Sequence, residues 1–157
     1  MLPHTHFLFA ILLALIGYNY NYFSLTEVFL IGILAVILDI DHLISFYKNH
    51  KMWSIKKCWN SALTTHEHLR TFIHHQKGIL LVSIILVLLT LLNLKLSIML
   101  AIAYFSHIFL DKIHLFKEKI KTHKFRQLFG FQISISYSEI VLDIILILII
   151  FSINKNI

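Results

Sequence analysis

The sequence predicts an all-α fold, a polytopic membrane bundle of about five apolar helices joined by two basic loops. Its 157 residues are 58% hydrophobic with a mean hydropathy of +0.79, whereas soluble domains are about 45–50% apolar. One proline and four glycines are too few for a turn-rich β fold. Polar residues are concentrated between long apolar stretches. We therefore expect a single membrane-embedded domain over residues 1–157.

Five apolar stretches are the candidate helices, at residues 7–23, 27–46, 78–92, 96–111 and 139–153. Several are shorter than the roughly 20 residues of a full span, so we expect some helices to be tilted or partly buried in protein. The first and third stretches are followed by short connections, which predict antiparallel helical hairpins. The first stretch lacks the basic start and small-residue cleavage site of a signal peptide, and we interpret it as a retained helix.

The basic residues predict the orientation of the chain. Twelve of the 14 Lys and Arg residues lie in the loops 47–77 and 112–138, which an alternating chain places on one side of the membrane. The positive-inside rule assigns that side to the cytoplasm. The net charge of +6 is then explained by basic loops that face anionic lipid headgroups. We expect an integral protein of the cytoplasmic membrane, with membrane lipids and no nucleic acid as partners.

The helix ends on this side carry residues suited to metal chemistry. His107 and Asp111 are four apart, and Asp39 and His42 are three apart, so each pair shares a helical face and can hold one metal ion. Imidazole and carboxylate ligands together favour Zn²⁺ or Mn²⁺. The alternative is a helix that becomes polar where it meets water. Acids at a helix C-terminus are disfavoured by its dipole, which argues for a function.

Other features add candidates or exclude chemistries. Glu139 and Asp143 are four apart at the start of the fifth stretch and are candidate site residues, unless they pair with Lys or Arg. The single cysteine, Cys58, excludes an internal disulfide. The sequence contains no glycine-rich phosphate loop, no nucleophile elbow and no C-x-x-C motif. A metal centre is therefore the main chemical prediction.

The order of four motifs resembles a known family. They are T-H at 5–6, D-x-D-H at 39–42, R-x-x-x-H at 70–74 and S-H-x-x-x-D at 106–111. This set resembles the YdjM-like family, described as LexA-regulated, membrane-bound, metal-dependent hydrolases. The resemblance covers about residues 5–111. A fainter similarity, in the order of ligands only, is to the zinc-dependent phospholipase C and P1 nuclease superfamily, and it favours a phosphoester substrate.

The chain departs from the family pattern at two places. Leu38 stands where the family usually has proline before the first aspartate. The loop motif resembles H-R-G-x-T-H-S, whereas this chain reads L-R-T-F-I-H-H at 69–75. The ligand in this loop is therefore either His74 or His75.

The resemblance implies a specific set of site residues. Asp41 and His42 would orient a water molecule or move its proton, and the metal ligands would be His6, Asp39, His74, His107 and Asp111. We predict a membrane-bound metal-dependent hydrolase, most simply a zinc enzyme with Mn²⁺ as the alternative. Its substrate would be a lipid or lipid-linked phosphoester at the cytoplasmic membrane face.

Two other functions remain open from the sequence. One is a non-catalytic membrane adaptor with a structural metal site, which four protein ligands would close, whereas a catalytic site keeps a position for water. The other is a metal-ion or proton transporter, which needs ionisable residues through both halves of its helices. The halves distant from the basic loops contain few such residues.

Overall fold

The computed structural model describes residues 3–64, 72–118, 126–128, 131–133 and 137–154. These ranges contain seven α-helices: α1 Pro3–Asn19, α2 Leu25–Ile37, α3 Ile40–His50, α4 Ile55–Thr64, α5 Gln76–Leu92, α6 Leu94–Glu118 and α7 Tyr137–Asn154. One turn of 3₁₀ helix, Phe72–His74, precedes α5. The chain is thus helical, as predicted.

Helix α4 and the 3₁₀ turn in the first basic loop, and a β-hairpin in the second, were not predicted. Strands β1 (Arg126–Leu128) and β2 (Phe131–Ile133) form a two-stranded antiparallel hairpin in the second basic loop. Three residues per strand are too few to produce a recognisable alternation of apolar and polar side chains. The sequence therefore gave no signal for this hairpin.

The five predicted membrane spans are not confirmed. Within the described residues, two helical segments are long and apolar enough to cross a membrane, Leu25–His50 and Leu94–Ile113. Helix α5 is apolar but shorter. Helices α1 and α5 have 17 residues each, which at 1.5 Å per residue gives about 26 Å, below the roughly 30 Å of a hydrocarbon core.

Helix α1 lies at the centre of the bundle, where it contacts α2, α6 and α7, while α5 packs on the other side of α6. The core between α1, α2 and α6 contains many small side chains, which let helix backbones approach closely. A Cβ atom on Gly32 would lie 2.9 Å from Phe7 and Ile11. The buried core residues are Ala10, Ala14, Leu15, Phe23, Val28, Ile31, Ala35, Met99 and Ala103.

The first residues of α2 and α6 define one end of the bundle, which we call the paired end. Ser24 and Glu27 form a capping box at the start of α2, which satisfies N–H groups that the helix leaves without acceptors. Glu27 also forms a 2.7 Å salt bridge with Lys95 at the start of α6. Because both helices begin here, Asp39 and Asp111 lie at the opposite end.

A helix break at Leu38 and Asp39 corrects the expected position of the D-x-D-H motif at the end of a helix. The Asp39 N–H donates to the Val36 carbonyl and the His42 N–H to the Asp39 carbonyl, a three-residue spacing that tightens the chain as in a 3₁₀ turn. Asp39 thereby becomes the N-cap of α3, where a helix dipole favours a carboxylate. The predicted unfavourable placement of this acid at a helix C-terminus is therefore wrong.

The S-H-x-x-x-D motif also does not close its helix. Helix α6 continues to Glu118, so His107 and Asp111 lie within a continuous helix. The expected end at residue 111 is wrong, because Lys112 and the alternating apolar and charged residues after it continue the helix. A rigid helical backbone therefore fixes the relative positions of these two side chains.

Candidate metal centre

Four chain segments meet at the end of the bundle opposite the paired end, and their side chains form a cluster that we call the His/Asp cluster. The segments are the first turns of α1, the break between α2 and α3, the 3₁₀ turn, and α6. All five predicted metal ligands belong to it, together with His42: His6, Asp39, His42, His74, His107 and Asp111.

Asp111 joins two groups of possible ligands. Its Oδ1 atom lies 3.4 Å from His6 Nε2, and its Oδ2 atom lies 3.4 Å from His74 Nε2 and 3.7 Å from His107 Nε2. Each group offers three ligand atoms within 4.8 Å of one another, and the groups are His6, His107 and Asp111, and His42, His74 and Asp111. Ligands around one tetrahedral zinc lie about 3.3 Å apart, so the cluster has the dimensions of a metal site.

A backbone hydrogen bond fixes the tautomer of His107. Its Nδ1–H donates to the Ala35 carbonyl at 2.9 Å, since a carbonyl oxygen can only accept. In the neutral ring the Nε2 atom then has its lone pair free to bind a metal. That atom lies 3.2 Å from His74 Nε2 and 3.7 Å from Asp39 Oδ1. Helix α2 thus orients a candidate ligand carried by α6.

His6 is fully buried, and its ring stacks on His107 with 4.2 Å between the ring centroids. Among the described residues, neither of its ring nitrogens has a hydrogen-bond partner, and the same holds for the buried Asp39 Oδ2 atom. Buried polar atoms without partners are costly and rare in folded proteins. A bound cation would satisfy His6 Nε2 and Asp39 Oδ2, so the residues present fit a metal ion.

The cluster is buried on one side and accessible on the other. The His6 and His107 side chains have no exposed surface. Asp111, Asp39 and His42 expose 20%, 24% and 33% of their side chains. The accessible edge of the cluster therefore follows the break between α2 and α3.

The 3₁₀ turn that carries His74 is held against α6. Tyr104 donates a 2.6 Å hydrogen bond from its hydroxyl to the Ile73 carbonyl. A Cβ atom on Gly78 would lie 1.9 Å from the Phe72 carbonyl oxygen, so only glycine allows α5 to begin this close to the turn. These contacts place His74 in the cluster, whereas His75 is exposed. Of the two histidines, His74 is therefore the one that the structure brings into the cluster.

The remaining predicted residues have different outcomes. The backbone of Asp41 lies in α3, but its side chain is outside the described part of the structure, and so is Arg70 of the R-x-x-x-H motif. His42 was predicted to have a catalytic role, and its position also makes it a candidate ligand. The described cluster therefore contains residues from all four motifs, but only His74 from the R-x-x-x-H motif.

Sequence reasoning missed a second set of polar contacts next to the cluster. His4 Nε2 lies 2.8 Å from Asp143 Oδ2, and the Thr5 hydroxyl donates to Glu139 Oε1 at 3.2 Å. The four-residue spacing of Glu139 and Asp143 indicated a shared helical face. No pattern indicated that their partners are more than 130 residues away.

A comparison with protein families identifies the relationship of the chain. A family model described as the YdjM inner membrane protein matches residues 1–151. The chain belongs to the YdjM inner membrane protein family. The match confirms the resemblance drawn from the four motifs and extends it from residue 111 through most of α7. Together with the apolar helices it supports a membrane protein of the inner membrane.

Two other comparisons give no match. Neither the curated proteins nor the solved structures include one that matches this chain. The fainter similarity to the phospholipase C and P1 nuclease superfamily is not shown by these comparisons.

Proposed function

We propose that this protein is a membrane-bound, metal-dependent hydrolase of lipid or lipid-linked phosphoesters, with its site at the cytoplasmic face of the membrane. The observation that carries the proposal is the His/Asp cluster, which has an accessible edge and buried atoms of His6 and Asp39 that lack a hydrogen-bond partner among the described residues. A divalent metal, when bound there, would supply a Lewis acid and a water molecule with a pKa near 7.

The residues of the cluster divide into ligands and proton-handling groups. His6, His107 and Asp111 form a triad in which both histidines are buried, and the hydrogen bond to Ala35 holds His107 in the tautomer that a ligand needs. Asp39 and His74 would complete the ligand set, Asp39 through its buried Oδ2 atom. His42 lies at the accessible edge, 3.9 Å from Asp39, where it can hold a water molecule and accept its proton. Asp41 is a further candidate for this role.

Two features near the accessible edge support a lipid substrate. Ile37, Ile40 and Ile44 flank the break between α2 and α3 and are each 44–52% exposed, so apolar surface borders the polar cluster. An acyl or isoprenyl chain would contact these side chains while its phosphoester reached the cluster. The exposed lysines at the end of α3 and in α4, Lys48, Lys51, Lys56 and Lys57, would attract the anionic headgroup.

The structure bears on the two alternative functions. A structural zinc site is closed by four protein ligands, whereas this cluster has six candidate side chains and an accessible edge, which favours catalysis over an adaptor role. A transporter needs ionisable groups along its path through the membrane. Within the described helices, the charged residues at the paired end are Glu27 and Lys95, which lie at the surface and neutralise each other.

The proposal is tested by phosphate release from phosphatidic acid and from isoprenyl diphosphates presented in nanodiscs. We expect zinc- or manganese-loaded protein to release inorganic phosphate and His74→Ala to abolish the release. His75→Ala is the matched control, since this neighbouring histidine is exposed, and it should retain full activity. Equal activity in both variants would contradict the proposed site. Stable metal binding without hydrolysis of either substrate class would instead favour the adaptor.

A further inference from the structure

Two carboxylates of α7 hold the first turn of α1. Asp143 Oδ2 lies 2.8 Å from His4 Nε2, and Glu139 Oε1 accepts a 3.2 Å hydrogen bond from the Thr5 hydroxyl. Glu139 and Asp143 are four residues apart, so they lie on one face of α7. Their partners are the two residues that precede His6, which is the candidate ligand carried by α1 and is fully buried.

These contacts act on a part of α1 that is weakly held by its own backbone. The helix begins at Pro3, so His6 lies in its first turn, where N–H groups have no intrahelical acceptor and helix ends fray. Each residue turns the helix by about 100°. Contacts on His4 and Thr5 therefore determine the direction in which the His6 ring points.

Apart from His4, which is half-exposed, these side chains are largely buried. Thr5 is completely buried and Glu139 is 3% exposed. Among the described residues, the buried Asp143 Oδ1 atom has no hydrogen-bond partner. Carboxylates buried beside apolar helices are expensive, and the positive N-terminal dipole of α1 offsets only part of the cost. If Glu139 and Asp143 only stabilised the fold, well-packed apolar side chains at these positions would do so better.

We propose that Glu139 and Asp143 are positioning residues that fix the rotation of the first turn of α1 and thereby hold His6 in place to bind the metal. This inference rests on the proposed metal centre. Neither carboxylate contacts the metal in this account, and their effect passes through Thr5 and His4 to His6.

The inference is tested by titrating the detergent-purified full chain with cobalt(II), which reports affinity and coordination through its visible absorption. The double variant Glu139→Ala/Asp143→Ala should bind cobalt about 10- to 100-fold more weakly, the range for outer-shell partners of metal ligands. Glu139→Gln/Asp143→Asn keeps an acceptor oxygen at each position and should restore most of the affinity. Thr5→Val removes one hydroxyl at nearly constant volume and should cause part of the loss.

A cycle with His6 separates positioning from general stability. In a His6→Ala background, the double alanine substitution should cause no further loss of cobalt affinity, because the ligand that it positions is absent. Glu27→Gln, which alters a carboxylate at the paired end, should leave the affinity unchanged. Two results would overturn this inference without affecting the proposed function. One is an undiminished loss of cobalt affinity when the double alanine substitution is made in the His6→Ala background. The other is wild-type cobalt affinity in both Thr5→Val and the double variant. Wild-type protein that bound no cobalt would contradict the proposed function as well.

Discussion

Ionisable side chains are paired at one end of the bundle and incompletely hydrogen-bonded at the other. At the paired end, Glu27 caps α2 and forms a salt bridge with Lys95 on the protein surface. At the end with the His/Asp cluster, His6 and Asp39 contain buried polar atoms that have no hydrogen-bond partner in the described structure. Satisfied polar groups stabilise helix ends, whereas unsatisfied ones cost stability and indicate a ligand. This difference is the reason for proposing that the function lies at the cluster.

The sharpest test of this contrast is Asp111→Asn, because Asp111 approaches three histidines through its two oxygens. The amide keeps the shape of the side chain but removes its charge and one acceptor oxygen. We expect zinc affinity to fall by more than about 100-fold, beyond the range for outer-shell partners. Competition with a chelating dye measures the dissociation constant, and an unchanged value would show that the shared carboxylate is not a ligand.

The neighbouring histidines of the loop provide the next test. His74→Ala should weaken zinc binding on the order of 100-fold, because it removes a ligand from the second triad. His75→Ala should leave zinc binding unchanged, because this side chain is exposed at the start of α5. The same dye competition applies to both variants. If zinc affinity fell in His75→Ala and not in His74→Ala, His75 would be the residue that binds the metal.

Gly78→Ala should have a smaller effect on metal binding and a larger one on stability. The added Cβ atom would meet the backbone of Phe72, so the turn carrying His74 must shift, at a cost of about 1–3 kcal/mol in the free energy of unfolding. Thermal unfolding in detergent measures this cost, and zinc affinity should fall with it. Gly32→Ala is the control, since its Cβ would meet side chains of the core instead, and it should leave zinc affinity intact.

The smallest effect is expected at the paired end. Glu27→Gln weakens an exposed pair that solvent already screens, so the unfolding temperature should change little and zinc content should not change. A large loss of zinc in this variant, measured by elemental analysis, would show that the two ends of the bundle are coupled.

The sequence predicted the helical fold and the ligands because both depend on short-range spacing. His107 and Asp111 lie one helical turn apart, which residue numbers alone indicate. The family resemblance then brought His6, Asp39 and His74 into the same set, and the structure places all of them together.

The features that the sequence did not reveal depend on tertiary contacts or on local backbone geometry. The break at Asp39 follows from two hydrogen bonds of three-residue spacing, which no apolar periodicity encodes. The contacts of α7 with His4 and Thr5 join residues separated by almost the whole chain. The five predicted membrane spans are not confirmed: within the described residues, two helical segments are long and apolar enough to cross a membrane.

The most direct test of the proposed metal centre is the metal content of the detergent-purified wild-type protein, determined by elemental analysis beside that of the His107→Ala variant. His107 is buried, and its Nδ1 atom is committed to the Ala35 carbonyl, so its Nε2 atom should be a ligand. We predict at least one zinc or manganese ion per wild-type chain and a large loss in the variant. A wild-type protein without bound metal, even after reconstitution with zinc and manganese, would contradict the account.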